Sequence, residues 1–526
     1  MTRPTPGSTV AGPAAGWADL ASLDTDPHPV FTTYSAGNFA EVAPDRLSPM
    51  SWSLVGPPVE RGMRNVAGRL FPRARWATGS HFVFVGYFSC RPYHNLSGFC
   101  QLAYGVPGLD PALVTRSYFE DAPVPEPPGG RPYRGGAAVL PQLARELLLT
   151  RRRVGALTEQ VPQLEAALAE ARPGRKGAPG LPAGGGSLAL GRLLPGAVRL
   201  LDRVWETHYA STMLILPLLA VQDGVARRFV PYWRELEPLV NRPDSLVWQR
   251  LADLGAAVPE ATSFLHRQFY EVADDQEPWD RYVGALGPPV AGAETDGLLP
   301  EDPWALVPLS RTLQLPRLSA VVRIAMEQRE HTKSLAMRTL HVMRLVVRAV
   351  AARRGLADGD WPYLSLNELL DESMPAAQLH RYARSRAEEC AQAIDRPMPD
   401  LFNTAQDGPG TGAPEPASTR AGVGICPGQV TGTVVVPGAD GRYEPGPDAN
   451  GGRRILVCER ADVQIQTVLP HIDALVTARG SALSHVAILL REHGLPSVIG
   501  HPLARDLRPG QEVYVDGTTG EVRLLA

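Results

Sequence analysis

The stretch Thr477–Gly500, TARGSALSHVAILLREHGLPSVIG, decides how the chain is read. From Ala482 onward its apolar residues recur at helical spacing. Ser481 suits an N-cap, because its hydroxyl can accept from a free first-turn N–H, and Gly494 followed by Pro496 stops the helix. His485 therefore falls in the first turn. There it lies near backbone N–H groups without intrahelical partners and near the positive end of the helix dipole, and both favour an anion. Ser481 and Ser484 bring hydroxyl donors to the same spot. A neutral imidazole is a good nucleophile near pH 7, so the setting suits a histidine that carries a phosphoryl group on a ring nitrogen. The plainer reading is a helix-start histidine packed against a strand, and periodicity alone does not separate the two.

Around this helix the texture is that of short strands separated by turns: QVTGTVVV, RRILVCE, DALVTA, PSVIG and EVYVDGTTGEVRLL. Residues 423–526 are thus expected to form a small α/β domain of about one hundred residues. Before it, residues 403–422 lose all apolar periodicity and are rich in Gly and Pro, which predicts an interdomain linker. A tether of about twenty such residues has a root-mean-square reach of roughly 25 Å.

Upstream, residues 31–402 read as a mainly helical domain, after a disordered N-terminus at 1–30. Between about Ala137 and Leu401 the apolar residues recur every three or four positions. The helix containing MEQREHTKSLAMRTLHVMR is expected to end on Gly355 after two arginines, and Ser365 with Glu368 forms a candidate capping box. A second Gly/Pro-rich stretch, Arg172–Ser187, reads as a flexible insertion between two leucine-rich helices.

Composition narrows the class of function. The 526 residues are 44% hydrophobic and 20% charged with a formal net charge of −3, which supplies no basic field for nucleic acid or an anionic membrane surface. The five cysteines are odd in number and widely spaced, with no Cys-x-x-Cys pair, which argues against a disulfide framework or a cysteine zinc site. The N-terminus lacks a signal-peptide core, and the apolar run Met213–Val221 is too short to span a bilayer and is expected to be broken by Pro217. A cytoplasmic protein is expected.

The residues ARGSALSHVAILLREHGLPSVIG, with GQVTGTVV before them and VYVDGTTGEVRLL after, resemble the swivelling phosphohistidine domain of the phosphoenolpyruvate-utilising enzymes. The resemblance covers nearly all of Val423–Ala526, including the Ser-His pair and Arg491, Glu492, Gly494, Pro496 and Gly500. It departs at Arg479-Gly480, where the family usually has Gly-Gly, and at CERADV, Cys458–Val463. It implies that His485 is the phosphorylated residue and that Ser481 and Ser484 help to bind the phosphate.

In the helical part, GNFAEVAPDRLSPMSWSL and RPYHNLSGFCQLAYGVPGLDP resemble the substrate-binding domain of the rifampicin phosphotransferase-like members. This implies substrate-binding roles for Asn38, Glu41, Arg91, Tyr93 and Asn95, although turn-setting and core-filling would explain the same residue types. Arg329, Glu330 and Lys333 match an Arg-Glu-x-x-Lys run on a long helix of that family. At spacings of three and four they project from adjoining parts of one helix. They would hold the phosphoryl group as it leaves His485 and assist deprotonation of an acceptor hydroxyl, whereas the plainer reading is a surface ion-pair helix.

Family members that use ATP carry an ATP-grasp nucleotide-binding module, larger than the segment ahead of Gly37, and no Gly-x-x-x-x-Gly-Lys-Ser/Thr loop occurs in the sequence. The expectation is that ATP and Mg are bound by a separate ATP-grasp phosphodonor protein, with no metal site in this chain. The acceptor would be a small organic molecule bearing a hydroxyl. Phosphorylation followed by elimination, giving net dehydration in secondary metabolism, stays open beside simple transfer, as does a non-catalytic binding homologue.

Overall fold

The structure, a computed structural model, describes residues 24–37, 39, 47–72, 81–119, 122–127, 130, 139–171, 185–226, 230, 314–394, 399–405, 422–437, 452–461, 465, 468–480 and 485–525. Among the described residues, the helical region is built on four long helices: α1 (Pro49–Leu70), α4 (Val139–Ala171), α5 (Gly185–Ala226) and α6 (Leu315–Arg353). Shorter α2 (Leu96–Gly105), α3 (Pro111–Tyr118), α7 (Leu366–Leu370) and α8 (Ala376–Ile394) pack around them. Their apolar faces merge into one core that includes Trp52, Phe84, Trp205, Met343 and Trp361. Gly62 on α1 allows α5 to approach closely, since a Cβ there would lie 2.7 Å from the Glu206 Cα. Arg69 of α1 ties the same helices together, donating to Glu146 of α4 at 2.7 and 2.8 Å and to Glu206 of α5 at 2.8 Å.

Beside the helices lies a small sheet that helical periodicity gives no hint of. It is built from β1 (Thr33–Ser35), β2 (Val85–Phe88), β3 (Arg91–Asn95) and β4 (Leu401–Asn403), in the order β2-β3-β1-β4 and antiparallel throughout. These strands run three to five residues, too short for alternation to show in the sequence.

Several sequence expectations are met and others corrected. Gly355 takes φ +74 just past α6, and Ser365 and Glu368 form the reciprocal capping box. The expected break at Pro217 does not occur: α5 runs through both Pro195 and Pro217. Its Gly191–Ala226 segment is long and apolar enough to cross a membrane by length and composition, and 61% of its apolar window is buried in the protein. α5 also begins at Gly185, inside the stretch read as a flexible insertion; residues 172–184 lie outside the described residues. Most of the linker, 406–421, lies outside them as well.

The cysteine expectation is overturned in part. Cys90 and Cys390 form a disulfide across 300 residues of sequence, linking the β2–β3 turn to α8. Sequence spacing carries no information about such a contact, because the fold alone brings the two together. Cys100, Cys426 and Cys458 are free and buried.

Residues 423–525 form a seven-stranded sheet from β5 (Val423–Cys426), β6 (Gln429–Val435), β7 (Arg454–Arg460), β8 (Ala474–Arg479), β9 (Ser497–Ile499), β10 (Glu512–Asp516) and β11 (Glu521–Leu524). The order is β11-β10-β6-β7-β8-β9-β5, with β6 to β9 parallel and the outer pairings antiparallel. The sheet curls until the β10–β11 turn meets β5. Gly520, at φ +77, sits so close that a Cβ would overlap the Gly422 carbonyl. β7, β8 and β9 are buried on both faces along most of their length, as strands between two layers require, whereas β6 alternates exposed and buried residues. Leu456 and Leu475 point to one core, and Ile455, Val457 and Val476 to the other. The final helix, α9 (His485–Glu492), covers the first of these with Val486, Ala487, Leu489 and Leu490.

The α7–α8 junction gives a stability test. Arg386 of α8 donates to both Glu368 oxygens at 2.6 Å, and the Ser365 N–H donates to the same carboxylate at 2.8 Å. Burial pushes the Glu368 carboxyl up, but Arg386 and Ser365 outweigh it and leave it below its ordinary 4.5. A depressed folded value contributes stability above the unfolded one, lost as pH falls through the folded value. Glu368→Ala is expected to cost about 3–5 kcal/mol at neutral pH, because it leaves Arg386 buried without this partner. Urea midpoints measured against pH should converge for the two proteins below pH 4.5.

Candidate active site

α6 is a long uninterrupted helix because residues 315–353 are dominated by Ala, Leu, Met, Arg and Val, with Pro316 tolerated in its first turn. Midway along it, Arg329, Glu330 and Lys333 are 6%, 4% and 8% exposed, which excludes the surface ion-pair reading. Arg329 Nη1 lies 2.6 Å from Glu330 Oε1. Adjacent residues on a helix do not face each other by default, so the Arg329 side chain turns back onto its neighbour. Burying such charges costs several kcal/mol per ion unless they are paired, and this is expensive machinery for a purely structural helix.

α5 supplies a residue that the sequence reading missed. His208 is buried against this part of α6, its Nδ1 3.3 Å from the Arg329 carbonyl oxygen and 3.2 Å from Thr332 Oγ1. Burial first, then the charges of Arg329 and Lys333, push its pKa down to about 3, against the opposing pull of Glu330. In the sequence His208 stands alone on an apolar helix, and its partners come more than 120 residues later, so no motif marks it.

A second charged cluster lies where the helical region meets the curled sheet. Asp400, just before β4, receives Arg91 Nη2 from β3 at 2.6 Å and Arg460 Nη2 from the end of β7 at 3.3 Å. Arg479, at the end of β8, completes the cluster through an ion pair with the same carboxylate, and also meets Glu459 at 2.9 Å. β7 and β8 run parallel, so Arg460 and Arg479 mark the carboxyl end of the parallel strands. The chain passes from that end through residues 480–484 into α9, and crevices at such ends are the usual ligand sites of α/β sheets.

The expected site residues are distributed as follows. His485 is the first residue of α9, so its first-turn position stands, and Gly494 at φ +62 lies two residues beyond the helix end. Its side chain, and Ser481 and Ser484 entirely, lie outside the described residues, as do Asn38 and Glu41. Arg91 holds Asp400, and the Tyr93 hydroxyl donates to the Pro399 carbonyl at 3.1 Å. Asn95 caps α2, accepting from the Gly98 N–H at 3.1 Å while donating to the Phe31 carbonyl at 2.8 Å. Arg91 and Tyr93 thus secure the segment that leads toward the linker. Among the described residues no cluster of His, Cys, Asp and Glu is arranged to hold a metal ion.

Residues 451–520 match the family model of the PEP-utilising enzyme mobile domain. The uncharacterised protein Rv2047c of Mycobacterium tuberculosis is 32% identical over 245 residues, 43% of this chain and 26% of that protein. A rifampicin phosphotransferase of a Streptomyces species is 34% identical over 114 residues, 21% of this chain and 12% of its own length. A phosphoenolpyruvate synthase of Deinococcus radiodurans is 42% identical over 72 residues, 13% and 9% of the two chains. The chain thus matches about a quarter of the length of the mycobacterial relative. That match is longer than residues 423–526 and so extends into the helical region. Over this C-terminal mobile domain the chain is similar to the PEP-utilising enzymes.

Proposed function

We propose that this chain is a phosphotransferase in which His485 receives a phosphoryl group and passes it to a hydroxyl of a small organic acceptor held in the helical region. The observation that carries this reading is the burial of Arg329, Glu330 and Lys333 together on α6. Phosphoryl transfer depends on positioning and on fixed positive charge at the moving group, and two buried cations beside a carboxylate supply both. Arg329 and Lys333 hold the phosphoryl oxygens, and the N-terminus of α9 holds them while the group resides on His485. The donor is ATP with Mg, bound by a separate ATP-grasp protein.

The test is to incubate the chain with radiolabelled ATP and its ATP-grasp protein, and in parallel with labelled phosphoenolpyruvate. Acid-labile, base-stable label on His485 in the first mixture supports the reading. Label in the second alone replaces the donor, and label in neither removes the phosphotransferase assignment. Mass spectrometry of the acceptor then distinguishes a phosphate ester from a dehydrated product.

A relay of this kind requires residues 423–526 to leave and return, so the Asp400 cluster acts as a clasp. Asp400 is 20% exposed and meets three guanidinium groups, a setting in which charged hydrogen bonds are worth about 1.5–3 kcal/mol each. Asp400→Asn is expected to widen the distance distribution between spin labels at Glu372→Cys and Glu521→Cys, measured by pulsed electron resonance. High salt should produce the same widening in the parent protein. Unchanged distributions in both would remove the clasp.

A further inference from the structure

The tautomer of His208 is fixed by its surroundings. Nδ1 faces the Arg329 carbonyl oxygen, which only accepts, and the Thr332 hydroxyl already donates to the Gln328 and Arg329 carbonyls at 2.9 Å. Nδ1 therefore carries the proton, and Nε2 is the basic nitrogen. The charged groups bearing on the ring are Arg329, Glu330 and Lys333 of α6, while its own helix contributes Trp205 and Tyr209 edge-on at 5.9 and 5.2 Å. Buried beside these two cations, the ring is held neutral and is a weak base. A phosphoryl dianion at those cations cancels their field and adds negative charge nearby, and both changes favour an imidazolium. The base is thus strengthened by arrival of the group to be transferred.

The next turn of α5 supplies a second observation. Thr212, four residues beyond His208, donates its hydroxyl to the His208 carbonyl at 3.0 Å. From Thr212 onward, Met213, Leu216 and Pro217 wall a half-open cleft completed by Phe99 and Tyr118, among others. Among the described residues that line it, Thr212 and Tyr118 alone carry polar side chains, so it suits an uncharged apolar body. Residues four apart on a helix are neighbours about 6 Å apart, so the Thr212 end of the cleft lies one helical turn from His208.

We propose that His208 takes the proton from the acceptor hydroxyl, and that the acceptor is an uncharged apolar alcohol seated between Phe99, Tyr118, Thr212 and Leu216. The inference rests on the phosphotransfer reading above. In the step, Nε2 of His208 binds the hydroxyl proton and the freed oxygen lone pair forms the O–P bond. The P–N bond to His485 breaks, its electron pair stays on the ring nitrogen, and that nitrogen takes a proton from water, so His485 returns as neutral imidazole. The imidazolium of His208 faces the product phosphate and gives its proton to solvent as the product leaves. No further reactant is needed.

The experiment follows histidine ¹⁵N resonances of the full chain against pH, with His208 assigned through His208→Gln and inorganic phosphate as the probe. Without phosphate, His208 should remain the neutral Nδ1–H tautomer between about pH 5 and pH 8. Saturating phosphate should raise its pKa by about one unit or more, and Lys333→Met should raise it without phosphate. Benzyl alcohol, but not glycerol, should receive saturation transfer from the protein, and Leu216→Trp should abolish this without altering the His208 titration. Phosphate that binds without raising the His208 pKa overturns the proton-acceptor role and leaves the phosphotransfer reading standing. Failure of phosphate to bind, seen as an unchanged ³¹P line width, overturns both. Equal transfer to glycerol, or none to benzyl alcohol, overturns the apolar acceptor.

Discussion

His485→Asn is expected to fold normally and to take up no phosphoryl label at all. The substitution is chosen so that fold and chemistry separate. Asparagine keeps a polar side chain in the first turn, and the buried face of α9 is formed by Val486, Ala487, Leu489 and Leu490, which remain in place. Melting curves of variant and parent should therefore coincide within about 0.5 kcal/mol, the range of substitutions away from packing and capping features. Leu490→Ala is the converse control. It empties a fully buried position at an expected cost of about 2–5 kcal/mol, yet leaves the nucleophile and should still be labelled well below its lowered melting temperature. Label retained in His485→Asn would place the phosphorylated residue elsewhere and remove the relay.

What the sequence made legible follows the range of the interactions involved. The α9 helix from His485 onward, its glycine stop and the five strand-like runs around it rest on contacts between neighbours in sequence and appear where expected, while the expected start at Ala482 and the Ser481 cap lie outside the described residues. The same holds for the Ser365–Glu368 box, whose two partners lie three residues apart. Arg329, Glu330 and Lys333 were visible as a spacing, but spacing cannot distinguish a buried helix face from a solvated one. The structure decides it by packing α5 over them. What stayed hidden depends on long-range closure. Cys90 meets Cys390 and His208 meets Thr332 only after the helices assemble. The Asp400 cluster draws arginines from three different strands. Strands of three residues, such as β1 and β4, are also below the length at which alternation can be read.

Arg329 and Lys333 should fail in different ways, and the difference separates a structural ion pair from a phosphate clamp. Arg329→Met removes the cation 2.6 Å from the Glu330 carboxylate, which is 4% exposed and keeps its desolvation cost after the partner is lost. The expected loss is about 2–5 kcal/mol in urea unfolding. Lys333→Met keeps the apolar stem in the core and relieves the burial of an ammonium, so its stability should change by no more than about 1 kcal/mol. If the two cations act on the moving phosphoryl group, transfer from phospho-His485 should fall about 10²- to 10³-fold in Lys333→Met, while labelling of His485 by its donor is unchanged. The decisive variant is Arg329→Met with Glu330→Gln, since removing both charges should recover much of the stability lost on removing one. A double variant that is stable again but still fails to discharge phospho-His485 assigns Arg329 to transfer. If discharge recovers together with stability, the Arg329–Glu330 pair serves the fold and Lys333 alone meets the phosphate.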